Sequence, residues 1–445
     1  MKYLFMYTFA AMALFTSCSK DNGNPLSNDS TIVSFPNDRI GLAELYEFSF
    51  DRLPAFTITK ATPNRAFSYS VTGSNGMKNP TDTLLQGHGS IDADGAAAVF
   101  LKGLINCKDG EITVVIKMEN PATTITAKVQ KAELEIRSYK DFMHMASYNG
   151  NDTTYHYVQL NDFAFPDTVF SYSPAPFIMR THYDGQGHRI TNLTIKAKPL
   201  TPTSETATAA LFSSLLDGVS IRNVKLELSE EGISSDTDGF LGGLVGGLNE
   251  TSSIINCSVK GNVLASKDKE FAHAGGIAGY AHGARIIGCS FRGKLSGRIL
   301  GGIVAASSSE ASQESKADET VIDMCYAYAE FDGASGGGIA GDVGDVRENY
   351  PAHVTITNSY LYATTFPATF EAIAPVDPIR VAVSNCFANT GGTQNGVTIA
   401  LLANMNTLLA AMEISNWPQG VSRPANNKPY KNDTDPAAPM KLWWE

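Results

Sequence analysis

Gly243-Leu244-Val245-Gly246 is the stretch that decides the fold, because it recurs as Gly276-Ile277-Ala278-Gly279 and as Gly338-Ile339-Ala340-Gly341. A short strand pattern follows the copies, such as Ile254-Ile255-Asn256-Cys257 after the first. Self-similarity with a period of about 33 residues indicates a solenoid, in which each repeat stacks on the next. A solenoid presents long surfaces rather than one closed pocket.

One inward-facing position per turn aligns the repeats. Stacked turns pair each strand with its copies above and below, so residues 137–395 are predicted to form a parallel β-helix. About seven turns at about 4.8 Å each give a length of roughly 30 Å. A second strand of each turn is marked by Leu211, Leu244, Ile277, Ile303 and Ile339. The aligned inward positions are Leu193, Val224, Cys257, Cys289, Cys325, Ser359 and Cys386.

The cysteines after Cys18 follow the same repeat. They are five in number, and all except Cys107 occupy the inward position. An odd count argues against a disulfide framework, and a zinc site needs paired ligands at short spacing. The sequence therefore predicts a ladder of small buried side chains, with no metal and no other cofactor.

Residues 31–136 show no repeat. Short strand patterns alternate there with turn-rich stretches such as Gly73-Ser74-Asn75-Gly76, which predicts an immunoglobulin-like β-sandwich. A short helix is expected next, with Ser138 at its N-terminus and with Phe142 and Met145 over the first turn of the β-helix. Such a cap protects the end of a solenoid.

The N-terminus has the pattern of an exported lipoprotein. Residues 1–17 hold an apolar run too short to span a membrane, which is typical of a signal peptide. Leu14-Phe15-Thr16-Ser17-Cys18 resembles a lipobox, which implies lipidation of Cys18, and residues 18–30 are a polar tether. Ser19 after the cysteine favours the outer membrane, and an ordinary secretory signal is the alternative.

The charge of the chain excludes one class of partner. The formal net charge is −11, and nucleic-acid binding needs a basic footprint. Nucleic acid is therefore not expected as a partner. The lipobox instead makes outer-membrane lipid an expected partner, and the surface anchor and the outward aromatic residues described below favour a glycan or a host surface protein. No oligomeric state follows from the sequence.

The repeat at residues 243–257 resembles the GLUG motif. Tyr183-Asp184-Gly185-Gln186-Gly187-His188 is similar to the lead-in of GLUG proteins, and the resemblance covers about residues 138–389. It departs at Gly302-Ile303-Val304-Ala305 and at Ala210-Leu211-Phe212-Ser213, where motif glycines are missing. The resemblance implies a surface lipoprotein or adhesin-like protein, or an accessory segment of immunoglobulin A metallopeptidases. It implies no catalytic residues.

Catalytic motifs are not found in the sequence. It contains no His-Glu-x-x-His, no Gly-x-Ser-x-Gly and no phosphate loop. His182, Asp184 and His188 are close enough in sequence for a metal site, but Asp184-Gly185 is more simply a turn. An acidic cluster, predicted to be a solvated loop, comprises Asp342, Asp345 and Glu348. A polysaccharide-acting enzyme with carboxylates at this edge is the runner-up function.

Aromatic residues occupy the outward positions of the later turns. These residues are Tyr326, Tyr328, Tyr360, Tyr362 and Phe387, whereas earlier turns carry charged side chains there. Outward rings on stacked strands form a flat platform that suits sugar rings. Long insertions at residues 307–320 and 342–353 lie beside it. The alternative is that the apolar tail, which caps the last turn, also folds back over the tyrosines.

The sequence therefore predicts an all-β chain: an N-terminal sandwich, a parallel β-helix and a C-terminal helical or irregular cap over residues 396–445. The leading functional hypothesis is a non-enzymatic adhesin, or a glycan-binding or host-ligand-binding protein, on the cell surface. A polysaccharide-acting lyase or hydrolase and a structural subunit of a surface assembly are the alternatives.

Overall fold

The computed structural model describes most of the chain beyond residue 30, in the ranges given at the end of this paragraph. Cys18 with its signal and tether, Cys107, Asp345 and Glu348 lie outside the described residues. None of the described helices is long and apolar enough to cross a membrane. The described ranges are residues 31–35, 39–41, 54–73, 85–101, 110–119, 122–132, 134–147, 156–199, 206–215, 218–307, 319–343, 353–375 and 380–445.

The first domain is a sandwich of two sheets, as predicted. One sheet has the order β1-β3-β6 and the other the order β2-β8-β7-β4-β5; all pairs are antiparallel except β2 with β8. Alternating apolar residues of the two sheets meet in one core. The strands are β1 Ile32–Ser34, β2 Arg39–Ile40, β3 Phe56–Thr59, β4 Ala66–Gly73, β5 Leu85–Ser90, β6 Ala97–Val99, β7 Gly110–Met118 and β8 Thr123–Lys131.

Helix α1, Tyr139–Ser147, closes the N-terminal end of the second domain. The backbone N–H of Asp141 donates to Ser138 Oγ at 3.3 Å, the predicted N-terminal cap. Phe142 and Met145 are buried as expected. The Phe142 ring packs against several aromatic rings of the first turns, namely Phe163, Phe165, Tyr183 and Phe212.

The second domain is a parallel β-helix, which confirms the central prediction. All strand pairs within its three sheets are parallel. The first sheet contains β9 Glu135–Ile136, β10 His156–Gln159, β14 His182–Asp184, β18 Ser220–Arg222, β22 Ser253–Ile255, β26 Arg285–Ile287, β29 Thr320–Asp323, β32 Val354–Thr357 and β34 Val381–Ser384.

The second sheet is the widest. Its strands are β11 Phe163–Ala164, β12 Val169–Phe170, β15 Arg189–Ala197, β16 Thr206–Ala209, β19 Lys225–Ser235, β20 Asp238–Gly242, β23 Ser258–Leu264, β24 Ala272–Gly275, β27 Ser290–Gly301, β30 Tyr326–Gly337, β33 Tyr360–Thr365, β35 Cys386–Ala388 and β36 Val397–Ile399. The third sheet contains β13 Ala175–Met179, β17 Phe212–Leu215, β21 Val245–Leu248, β25 Ala278–Ala281, β28 Val304–Ser307 and β31 Ala340–Val343.

The chain turns a corner between the first and second sheets, and the conformation of this corner explains why asparagine precedes the inward position in most repeats. The residue just before each inward position has a positive φ, for example 56° at Asn223 and 53° at Asn256. Asparagine tolerates this left-handed conformation better than most residues, and glycine accepts it freely. The corner residues are Asn223, Asn256, Gly288, Met324, Asn358 and Asn385. Asn192 also has a positive φ, of 64°, but it lies within β15. The predicted alignment of Leu193 with Val224 is therefore wrong, because Leu193 pairs with Leu228 in the strand register.

The inward positions form the predicted ladder. Cys257, Cys289, Cys325 and Cys386 are free thiols and buried. The Sγ atom of Cys325 accepts the backbone N–H of Cys289 on the preceding turn at 3.4 Å, so the sulfur also satisfies a corner donor. The Ser359 hydroxyl does the same for Cys325 at 3.0 Å. Burial raises the pKa of the Cys386 thiol to about 12.

The first glycine of the repeat is required by close approach of neighbouring turns. A Cβ on Gly243 would lie 2.3 Å from the carbonyl oxygen of Gly276, and one on Gly276 would lie 2.2 Å from that of Gly302. Both distances are far below contact distance, so no side chain fits. This explains why Gly302 is kept in the repeat that ends in Ala305.

Residues 400–445, which follow the last strand of the second sheet, form a tail with its own small core. It includes α2, Leu402–Ala411, and a hairpin of β37, Tyr430–Lys431, and β38, Lys441–Leu442. Its apolar side chains pack on the outside of the β-helix rather than only across its last turn. The tail therefore runs back along several turns, which is the alternative that the sequence left open.

Candidate ligand-binding face

Two columns of outward side chains run along the second sheet, and the strand register aligns them as predicted. The first column consists of Arg189, Lys225, Ser258, Ser290, Tyr326, Tyr360 and Phe387. The second column consists of Glu227, Lys260, Arg292, Tyr328 and Tyr362. The parallel register places successive members of a column about 4.8 Å apart.

The aromatic half of the first column is covered. Tyr326 and Tyr360 stack with ring centroids 4.9 Å apart and an interplanar angle of 3°, yet both are 0% exposed and Phe387 is 8% exposed. The tail packs over these rings, so the expected open platform is wrong at these three positions. Tyr328 and Tyr362 are half-buried at the margin of the tail.

Specific hydrogen bonds fix the tail to the β-helix. The Tyr430 hydroxyl lies 2.6 Å from the Asn358 carbonyl oxygen and 3.2 Å from that of Cys325. Trp444 Nε1 donates to the Gly288 carbonyl oxygen at 3.0 Å, and the Tyr360 hydroxyl donates to the Met440 carbonyl oxygen. The carbonyl acceptors Gly288, Cys325 and Asn358 lie at or next to the corner of three successive turns, which explains why the tail follows the corner.

A polar network ends the covered region. Arg292 Nε donates to the Tyr326 hydroxyl at 2.7 Å, and Arg292 Nη2 pairs with Asp433 at 2.9 Å. The Glu445 carboxylate accepts from Ser290 Oγ at 2.7 Å and lies 3.0 Å from the Tyr326 hydroxyl. Burial opposes the charge of Arg292, but Tyr326 and Glu445 outweigh it and raise the pKa of the guanidinium.

Beyond this network, the charged half of the two columns borders an open groove of about 160 Å³. Its lining residues are Arg189, Lys225, Leu226, Glu227, Ser258, Val259, Lys260, Ser290, Arg292 and Glu445. Arg189 and Lys260 are exposed, and Lys225 is half-buried. The sequence indicated a change from charged to aromatic side chains along this face. It did not show that the tail covers the aromatic half and leaves the charged half open.

The three histidine and aspartate candidates for a metal do not converge. His182 Nδ1 lies 2.8 Å from Ser220 Oγ, and His188 Nδ1 lies 3.1 Å from Asp162. Asp184 instead pairs with Arg222 at 3.0 Å. Each group therefore has its own partner, and no cluster of three potential metal ligands occurs within the described ranges.

Asp342 lies on β31 rather than in a loop, which corrects the prediction for this residue. Its strand partner in the third sheet is Ala306, and its carboxyl is half-buried. Burial raises the pKa of the Asp342 carboxyl, whereas the charge of His273 has a smaller effect and lowers it. Since Asp345 and Glu348 lie outside the described residues, the structure supplies one carboxyl of the predicted acidic cluster.

Comparison with known proteins supports the motif. The GLUG motif matches residues 240–264, which extend from within β20 through β23. The chain is also similar to a crystal structure, at 1.30 Å resolution, of a Bacteroides ovatus protein provisionally named an immunoglobulin A1 protease. That similarity has a TM-score of 0.46 at 20% identity and covers 70% of this chain and 92% of that chain. No curated protein matches the sequence.

Proposed function

We propose that this protein is a non-enzymatic binding protein of the bacterial surface, anchored in the outer membrane through lipid on Cys18. Its ligand is a glycan or a host surface protein held in the groove of the second sheet. The lipobox-like sequence before Cys18 supports the anchor, and the GLUG motif at residues 240–264 supports a surface role.

The groove is the observation that carries the binding function. It is open to solvent and lies on stacked strands, so its polar groups are held in place before a ligand arrives. Such preorganisation lowers the entropic cost of binding. The docked tail and the Arg292 network close one end of the groove, which gives it a defined length.

A broad glycan array and a panel of matrix proteins test this function. The protein from Ser19 onward is expected to bind at least one class of ligand, and Lys225→Ala/Lys260→Ala is expected to weaken that binding about tenfold. Lys294→Ala is the matched control, because Lys294 lies on β27 of the same sheet but pairs with Glu330 at 2.7 Å. Absence of binding to every glycan, protein and cell type would overturn the proposal.

The anchor has its own test. In a Gram-negative host, the full chain is expected to incorporate labelled palmitate and to fractionate with the outer membrane. Cys18→Ser is expected to abolish both, because the thiol that carries the acyl chain is removed. Unchanged labelling of Cys18→Ser would refute the anchor without affecting the groove.

A polysaccharide-acting enzyme is the second candidate, favoured by Asp342. A carboxyl with a raised pKa suits a general acid, although a hydrolase also needs a second carboxylate. Incubation with a panel of polysaccharides, followed by detection of reducing ends or unsaturated products, tests this candidate. Products that disappear with Asp342→Asn would establish the enzyme, and absence of products would remove it.

A further inference from the structure

The groove on the second sheet has a charge opposite to that of the whole chain. The chain has a formal net charge of −11. The groove is nevertheless lined by Arg189, Lys225, Lys260 and Arg292 against two carboxylates, Glu227 and Glu445. A local excess of positive charge on an acidic protein concentrates anions at that place.

Three of these cations lack a carboxylate partner among the residues that the structure describes. Neither an ion pair nor a side-chain hydrogen bond engages the charged groups of Arg189, Lys225 and Lys260. Some other cations of the β-helix do have such partners: Lys294 with Glu330 at 2.7 Å, Lys267 with Asp332 at 2.8 Å and Arg222 with Asp184 at 3.0 Å. Lys196, Arg285 and Arg298 have no ion pair among the described residues either, so the groove is distinguished by three such cations lining one concave surface.

The tail adds more positive charge beside the groove. Lys431 and Lys441 lie directly opposite each other in the hairpin of β37 and β38, an arrangement that destabilises a hairpin when both are charged. Burial lowers the pKa of Lys431, and the charges of Lys441 and Lys225 lower it further, against the opposite effect of the Glu445 carboxylate. Lys225 thus belongs to a cluster of like charges, which an anion would relieve.

The two carboxylates of the groove offset only part of this positive charge. Glu445 is held by Ser290, by the Tyr326 hydroxyl and by the backbone N–H of Leu442 at 2.8 Å. Glu227 is aligned with Lys260 on the neighbouring strand but forms no ion pair with it. It therefore remains a local repulsive group for an anionic ligand.

The cations follow the axis of the β-helix. Arg189 and Lys225 are partners on neighbouring strands in the first column, and Lys260 and Arg292 are partners in the second. The strands repeat every 4.8 Å or so, which is close to the length of one pyranose ring. A linear polysaccharide lying along the axis would therefore present about one sugar residue to each turn.

We infer that the groove binds an acidic polysaccharide, one that carries uronate carboxylates or sulfate esters, with its chain along the helix axis. Arg189, Lys225 and Lys260 engage the anionic groups, and Lys431 and Lys441 extend the positive field on one side. This inference rests on the proposed binding function and specifies its ligand. A nucleic acid fits less well, because stacking platforms for bases need exposed aromatic side chains and Tyr326 and Tyr360 are covered.

Calorimetry of the protein from Ser19 onward tests the inference with four probes. The probes are an oligogalacturonate, its methyl-esterified form, a sulfated heparin oligosaccharide and single-stranded DNA. Binding to one or both acidic oligosaccharides, little binding to the ester, and weakening between about 0.05 M and about 0.5 M salt are expected, because salt screens exposed charges. The two acidic probes distinguish carboxylate from sulfate recognition.

Variants locate the site. Each of Arg189→Ala, Lys225→Ala and Lys260→Ala is expected to raise Kd about threefold, and the triple variant about thirtyfold, as for screened surface ion pairs. Glu227→Gln is expected to lower Kd, because it removes the repulsive carboxylate. Lys267→Ala/Lys294→Ala is the matched control, and each variant must keep the tryptophan fluorescence unfolding curve of the parent.

Each outcome separates this inference from the proposed function. Equal affinity for the oligogalacturonate and its ester would overturn the acidic ligand but retain glycan binding. Preference for single-stranded DNA would overturn the ligand class. An unaffected triple variant would place acidic-glycan binding outside the groove. Absence of binding to these probes, together with a blank broad array, would overturn both proposals.

Discussion

Tyr360 and Tyr362 lie two residues apart on the same face of β33, and the repeat pattern treats them alike. In the structure Tyr360 is fully buried under the tail, between Tyr326 at 4.9 Å and Tyr430 at 5.1 Å. Tyr362 is half-buried and has one ring neighbour, Tyr328, at 5.3 Å. We therefore predict that replacing each of them with alanine affects docking of the tail very differently.

The magnitudes follow from burial. Truncation of a fully buried aromatic residue costs about 3–5 kcal/mol, and Tyr360→Ala should lower the free energy of tail docking by this amount. Half the burial of an aromatic side chain and one edge-to-face ring pair give about 1–2 kcal/mol for Tyr362→Ala. With a urea m-value of about 1–2 kcal/mol per M, the docking midpoint should fall by at least ~1.5 M for Tyr360→Ala.

Tryptophan fluorescence measures this docking selectively. The chain has three tryptophans, Trp417, Trp443 and Trp444, and all of them lie in the tail beside Gly288 and its neighbours. Far-UV circular dichroism reports mainly the strands of the β-helix. In Tyr360→Ala the fluorescence midpoint should fall while the dichroism midpoint changes little, because the inward core of the turn is untouched.

Two results would refute this reasoning. Equal midpoint shifts for Tyr360→Ala and Tyr362→Ala would mean that the tail does not cover one tyrosine more than the other. A joint fall of the fluorescence and dichroism midpoints in Tyr360→Ala would mean that tail and β-helix unfold as one cooperative unit.

Three further predictions concern other parts of the molecule. A buried ion pair between Arg39 and Asp141, 2.8 Å long with both side chains 2% exposed, joins the sandwich strand β2 to α1. Arg39→Ala should lower the free energy of unfolding by about 3–5 kcal/mol, and Arg39→Met/Asp141→Leu should recover much of that loss. An equal loss of stability in both variants, measured by thermal or chemical unfolding, would contradict this. Gly246→Ala should destabilise the protein by about 1–3 kcal/mol, because the new Cβ would lie 2.5 Å from the Ser213 carbonyl oxygen. Gly247→Ala should be well tolerated, because its Cβ would lie 3.2 Å from the Ser214 hydroxyl, which can move. Similar unfolding midpoints for the two variants would argue against the close spacing of the turns. Burial raises the pKa of Asp342 above its ordinary value of 3.8, so the folded state loses stability as the pH rises from that ordinary value through the raised pKa. Asp342→Asn should therefore match the stability of the parent near about pH 3 and exceed it at about pH 7. A difference in unfolding free energy that does not change with pH would exclude this linkage.

The repeat determined the inward side of the β-helix without help from the structure. In a stack of parallel strands each position lies above its own copy, so one aligned column predicts the environment of all its members. Val224, Cys257 and Cys289 are buried for this reason, as are the aligned residues Cys325, Ser359 and Cys386. Leu193 is buried too, but its strand partner is Leu228, so it belongs to a different column. The left-handed corner at Asn223 is likewise local, because it follows from the conformational freedom of one residue type.

The first turns were less visible in the sequence. Strands β9 and β10 extend the first sheet before the aligned repeats. They carry no glycine motif, because α1 rather than another repeat packs against this end. Only the parallel pairing of β10 with β14, and of β9 with β10, assigns them to the β-helix.

The sequence by itself determined which residues face inward, which face outward and in what order charged and aromatic side chains follow each other along the second sheet. The tertiary structure alone decided which outward residues remain accessible. The bond from Tyr430 to Cys325 joins positions 105 residues apart, and no periodicity within the chain encodes such a contact. The tail buries Tyr326 and Tyr360 because the transfer of apolar rings out of water is favourable. Burial of the charged side chains of Lys225 and Lys260 would instead cost free energy. The candidate site is therefore the charged groove that the tail leaves open.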